Sequence, residues 1–150
     1  VRWLFVLTVV SFAVAALANV FGQRPATTEA AGTGAVLRVE APPAVRGGLL
    51  FQARFDLRAE RALRDPTLAL AAGWFDGLTL NTVEPEPTAT TGEDGGVAFR
   101  FGRLAAGRTL TVYLEFQVNP TTVGRRSQDV VLRDGTRPLA ELARTMTIFP

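Results

Sequence analysis

The sequence predicts an all-β fold, an antiparallel β-sandwich. Three patterns predict it: one long stretch with strict two-residue alternation, a series of shorter alternating stretches, and turn residues between them. The long stretch is residues 108–120, R-T-L-T-V-Y-L-E-F-Q-V-N-P. Leu110, Val112, Leu114, Phe116 and Val118 fall on one side of an extended chain. Thr109, Thr111, Tyr113, Glu115 and Gln117 fall on the other, so this strand has one apolar and one wet face. It is the expected central strand. Residues 49–60 repeat the pattern, with Leu49, Phe51, Ala53, Phe55, Leu57 and Ala59 against Gln52, Arg54, Asp56, Arg58 and Glu60. About eight such strands at roughly ten-residue spacing suggest two sheets closing on a shared core.

In chain order, residues 1–23 come first. From Trp3 to Gln23 there is no charged residue, and Leu, Val and Phe dominate. A helix of about 20 residues spans about 30 Å, the hydrocarbon thickness of a bilayer. The run is expected to be a transmembrane anchor contacting the lipid bilayer through residues 3–23. Cleavage after Ala16-Leu17-Ala18 as a signal peptide is the alternative; the apolar character running on through Val20 and Phe21 speaks for the anchor. Either way the body lies outside the cytoplasm. Arg2 beside a short amino-terminal tail orients the anchor with that end inside.

Residues 24–34, R-P-A-T-T-E-A-A-G-T-G, are small and polar, and read as a flexible linker. The domain proper is expected over 35–150. Its strands are residues 35–41, 49–60, 78–83, 97–101, 108–118, 127–133 and 139–149, with 67–72 ambiguous between strand and helix. Pro42-Pro43, Gly47-Gly48 and Asp134-Gly135 mark turns. Residues 84–96 read as a long polar loop, and residues 119–126 as a hairpin-like connection.

The absences are as informative. There is no Cys and no His, which removes thiol chemistry, the commonest general base and the commonest metal ligands. All basic residues are Arg, which with abundant Ala and Gly looks like the codon usage of a GC-rich genome. A net charge of +2 has no basic excess of the kind a nucleic-acid binder shows, so no nucleic-acid partner is expected. Ser occurs at Ser11 and Ser127 without a base to activate it. No catalytic, cofactor-binding or metal residues are assigned, and the chain is not expected to be an enzyme. The carboxylates Glu84, Glu86, Glu93 and Asp94 share one loop but lack the order of a calcium loop, and read as solvated.

The segment L-A-A-G-R-T-L-T-V-Y-L-E-F-Q-V-N-P, running on to a final T-M-T-I-F-P, resembles exported bacterial immunoglobulin-like modules of the CARDB type. The layout, with N-V-F-G-Q-R-P at 19–25 and N-P-T-T-V-G-R-R-S-Q-D-V at 119–130, also resembles small actinobacterial single-pass membrane proteins. That resemblance implies an immunoglobulin-like sandwich with no catalytic residues. It implies no inter-sheet disulfide, because the cysteine pair is missing.

Two places attract functional interest. Trp74 and Phe75, between glycines, form either a core plug or a recognition tip. Asn119, Pro120, Arg125 and Arg126 form a loop whose arginines the turn itself does not need, and which suit a partner carboxylate or phosphate. The function expected is a membrane-anchored extracytoplasmic interaction domain with a membrane or envelope protein as partner, as an accessory subunit of a multi-span protein. A polymer- or carbohydrate-binding module of the cell envelope and a structural spacer are the alternatives.

Overall fold

Thirteen strands, one α-helix and one turn of 3-10 helix make up the computed structural model, which describes residues 2–18 and 23–150. The helix α1 is Arg2–Leu17 and the strands are β1 (Ala26–Ala31), β2 (Ala35–Ala41), β3 (Ala44–Arg46), β4 (Leu50–Ala59), β5 (Pro66–Leu70), β6 (Leu78–Glu84), β7 (Ala89–Glu93), β8 (Gly96–Arg100), β9 (Thr109–Val118), β10 (Gly124–Ser127), β11 (Val130–Asp134), β12 (Arg137–Leu142) and β13 (Thr145–Phe149). One five-stranded sheet has the order β1-β2-β4-β9-β6, the other β12-β11-β5-β8-β7, and a three-stranded ribbon has the order β10-β13-β3. All pairings are antiparallel except β13 with β3. The expected all-β sandwich is therefore found.

The alternation read in the sequence decides which face is inside. Phe51 lies opposite Phe116, Ala53 opposite Leu114, and Phe55 opposite Val112, and all six are buried. Leu37 and Val39 of β2 join them opposite Leu57 and Phe55. Leu68, Leu70, Phe99, Val130 and Leu132 from the second sheet belong to the same buried cluster. The expected long strand does form, as the ten-residue β9, but the middle of its sheet belongs to β4, with β9 beside it.

The ambiguous stretch 67–72 is settled by its neighbours. Its first four residues belong to β5, the middle strand of the second sheet, whose five residues are all buried, while Ala72 opens the 3-10 turn. On its outer face Thr67 lies between Arg133 and Arg100, which are opposite it on the two flanking strands. Each arginine has its own carboxylate: Arg100 makes two contacts with Asp65 at 3.1 and 2.6 Å, and Arg133 meets Glu93 at 2.8 Å. Without those partners the two cations would repel across Thr67.

Four expectations are corrected. The linker at 24–34 is largely strand: β1 pairs with β2 over six consecutive residues, so the folded domain begins near Ala26. The polar loop at 84–96 contains β7, paired with β8 through a turn in which Asp94 and Gly95 have φ of 47° and 79°. The connection at 119–126 is no hairpin, because β9 belongs to a five-stranded sheet and β10 to the ribbon. The last stretch, 139–149, is two strands in different sheets, β12 and β13, separated at Ala143-Arg144. The first two share a cause. Edge strands rich in Thr and Ala take their ladder from a neighbour and need no apolar face of their own, so no alternation betrays them.

The sheet edges are joined on one side. The Thr33 N–H donates to the Leu139 carbonyl at 2.9 Å, and Gly32 packs so closely there that a Cβ would stand 1.7 Å from the same oxygen. Only glycine allows that approach.

Helix α1 is sixteen residues long, about 24 Å at ~1.5 Å per residue. None of its side chains is buried. Among the described residues no helix is long and apolar enough to cross a membrane. The expected span over 3–23 falls partly on residues 19–22, which lie outside the described residues.

Candidate functional site

The residues singled out in the sequence gather at one pole of the sandwich, in unequal roles. Strand directions define that pole. β4 starts there with Leu50 opposite Gln117, β6 starts with Leu78 opposite Val118, and β13 ends with Phe149 beside Arg46.

Trp74 is not a recognition tip. It is fully buried, with its ring centroid 5.4 Å from that of Phe55 and 5.5 Å from that of Phe116. Phe75 is half-buried and packs edge-on to Phe116 at 6.1 Å. The 3-10 turn Ala72–Trp74 carries the indole inward between the sheets. Gly73 lets this turn lie against the backbone of Ser127, where a Cβ would come within 1.8 Å of the carbonyl oxygen. We expect Gly73→Ala to destabilise the fold by about 1–3 kcal/mol through forced overpacking, measurable by chemical denaturation.

Arg126 also serves the fold. Its Nε lies 2.8 Å from an Asp76 carboxylate oxygen and donates to the Asp76 carbonyl at 3.1 Å. It thus clasps the loop after Trp74. Arg125 is exposed and, like Arg46, has neither an ion pair nor a side-chain hydrogen bond among the described residues. Asn119 and Pro120 are exposed. The Asn119 N–H donates to Gly77 at 3.0 Å, and its carbonyl accepts from the Thr122 N–H at 3.0 Å, so the loop is held by its own backbone.

Around them stand large apolar side chains that sequence reading did not gather into one place. Leu49, Leu50, Val123 and Phe149 are 45–53% exposed. They are held together by backbone bonds. The Gly47 N–H donates to the Phe149 carbonyl, and the Val118 N–H to that of Leu49, both at 2.9 Å. The pairing of Gly124 with Ile148 brings Val123 beside Phe149. No linear signal marks this cluster, because its members come from three separate segments.

A second missed feature lies inside. Arg144 interrupts the last apolar stretch because its guanidinium turns inward. It donates to the carbonyls of Ala41 at 3.2 Å and Pro42 at 3.1 Å, and to Oε1 of the fully buried Gln128. It also lies over the Trp74 ring, 5.2 Å from the centroid. Burial lowers its pKa to about 10, since desolvation penalises the charged form. At neutral pH it stays protonated. Stability linked to Arg144 changes only above that value, rising with pH as the folded form sheds a proton the unfolded chain still holds. This is a structural cation, capping carbonyls near the end of β2.

Among the described residues no three Asp or Glu gather to hold a metal ion. Glu93, from the acidic stretch, is engaged by Arg133. On the outer face of the first sheet, Arg54 contacts Asp56 at 3.1 Å and lies over Tyr113, and Asp56 also accepts from the Thr111 hydroxyl at 2.7 Å.

No family model and no curated protein matches the chain. Solved structures are similar at low identity. CaCohA2 from Clostridium acetobutylicum is 12% identical with a TM-score of 0.47, over 73% of this chain and 90% of that one. A FixG-related protein from Vibrio parahaemolyticus is 9% identical with a TM-score of 0.44, over 78% and 98%. A non-cellulosomal cohesin from the hyperthermophilic archaeon Archaeoglobus fulgidus is 13% identical with a TM-score of 0.46, over 83% and 91%.

Proposed function

We propose that this chain is a membrane-anchored interaction domain, an immunoglobulin-like sandwich held outside the cytoplasm by its N-terminal apolar segment. It serves as an accessory subunit binding a multi-span membrane protein. The observation that carries this reading is the surface of α1. Trp3, Leu4, Phe5, Leu7, Phe12 and Leu17 are each at least 60% exposed, on all sides of the helix. Soluble domains rarely leave so large a continuous apolar surface in water, whereas lipid or a partner helix covers it without cost. The uncharged run in the sequence, residues 3–23, is longer than the helix itself. A short apolar helix is accommodated by local thinning of the bilayer.

What the sandwich presents supports binding. Its outer faces carry the ion pairs Arg54–Asp56, Arg100–Asp65 and Arg133–Glu93, and it offers free strand edges. Among these, β6 is bulged between Leu80 and Thr82, and β12 contains Pro138 and lies opposite a bulge. Both are devices that discourage pairing with another chain. β7 has neither, is almost wholly exposed, and pairs only with β8. An extended segment of a partner protein would add to this edge.

In-cell photocrosslinking from position Thr91 is expected to capture one membrane protein. The adduct should be lost when α1 is replaced by an unrelated apolar helix, or when Thr90→Pro, beside the probe, blocks the edge. Recovery of the intact protein alone after crosslinking sinks this reading.

A further inference from the structure

We propose that the pole carrying Leu49, Leu50, Val123 and Phe149 seats on the membrane surface itself, with anionic lipid headgroups as its ligand. The inference rests on the reading of the N-terminal segment as an anchor and assigns a role to a surface that reading leaves unused. Outside α1, these four and Tyr113 are the large apolar side chains that stand exposed among the described residues.

The chain enters the sandwich at the same pole. Ala26, the first residue of β1, lies opposite Ala41, the last of β2, which runs on through Pro42 and Pro43 into β3. β3 ends at Arg46, immediately before Leu49 and Leu50. From Ala18 to Ala26 the chain can extend about 28 Å at most, at ~3.5 Å per residue. A domain on so short a tether keeps this pole, and not the Asp134-Gly135 end, near the bilayer.

The charges agree with that orientation. Met146 and Ile148 of β13 are buried, so Thr147 and Phe149 face outward. Arg125 lies opposite Thr147 and Arg46 opposite Phe149, which puts both cations on the outward face, flanking the phenylalanine. Asp76, the acidic group nearby, is already paired with Arg126. Protruding apolar tips between unpaired arginines fit a headgroup layer, which accepts side chains of any shape and attracts cations. A protein interface would need a larger and more complementary surface.

The chain has no cysteine, so single labels are straightforward to place. The full-length protein is reconstituted in phosphatidylcholine vesicles with or without phosphatidylglycerol. A nitroxide is attached at Val123→Cys or, at the far pole, at Thr136→Cys. With phosphatidylglycerol present, the label at position 123 should lose collisions with an aqueous nickel chelate and gain collisions with oxygen, while the label at 136 stays aqueous. High salt should reverse this without any variant. Arg46→Glu with Arg125→Glu should lower the seated fraction at least about tenfold. Equal aqueous exposure of the two labels in anionic vesicles overturns the proposal. So does protection at 123 that is indifferent to lipid charge or grows with protein concentration, which would mark a second copy as the occupant. If the chain does not float with the vesicles, the anchor itself fails and the seating with it.

Discussion

Replacing Trp74 by alanine is expected to lower the unfolding free energy by about 3–5 kcal/mol, the usual range for removing a large buried aromatic. The indole is fully buried and touches both Phe55 and Phe116, central residues of two neighbouring strands. Its removal leaves a cavity at a meeting point of three elements that cannot collapse together, because β4 and β9 are held in register over nine consecutive pairs. Arg144 also loses the aromatic face beneath its guanidinium. The effect should be read as a fall in melting temperature of roughly 10–20 °C for a domain of this size. Trp74→Phe should recover much of it, since a smaller ring still fills part of the site. A loss below about 1 kcal/mol would mean that the indole is not part of the core.

Replacing Arg144 by methionine should cost about 2–4 kcal/mol, because three acceptors lose their donor together and each unpaired buried polar group costs about 1–3 kcal/mol. Methionine keeps most of the volume, so the measurement isolates the hydrogen bonds from packing. Arg144→Lys is the informative companion. An ammonium lacks the planar fork that reaches two carbonyls and an amide oxygen while stacking on an indole, so lysine should restore only part of the loss. If methionine proves neutral in denaturant titrations, Arg144 is not satisfying those carbonyls. The cost of desolvating the cation, which lowers its pKa to about 10, would then be uncompensated.

These two residues also mark how far the sequence could be read. Residues 108–118 and 49–60 were legible as strands, together with the face each turns inward, except that Leu49 lies ahead of β4 and is exposed. Burial of Val112, Leu114, Phe116 and Val118, and of the alternate residues from Phe51 to Ala59, is decided by a two-residue period that any sheet must respect. Trp74 could be read either way, since an aromatic between glycines suits a core plug and a surface tip alike. Only the 3-10 turn and the close approach of Gly73 to Ser127 decide for the core. Arg144 breaks the alternation of residues 139–149, at the point where the chain leaves one sheet for another.

The candidate surface was half legible. Asn119, Pro120 and Arg125 are exposed, while Arg126 is committed to Asp76, 50 positions away in the chain. A partner at that separation has no local trace. The same holds for Leu49, Leu50, Val123 and Phe149, each a plausible core residue in its own segment and exposed only because of where the strands end.

By itself, the sequence determined the all-β class, the two longest strands with their buried faces, the apolar N-terminal run and the absence of thiol and imidazole chemistry. These follow from composition and from periods of two to four residues, which are local. Only the tertiary structure decided that residues 26–31 and 89–93 are strands, that Trp74 and Arg144 turn inward, and that four apolar side chains share one pole with two unpaired arginines. Edge strands borrow their hydrogen bonds from a neighbour, and buried polar groups find their partners across the fold. Neither relation is written in the residues adjacent to them.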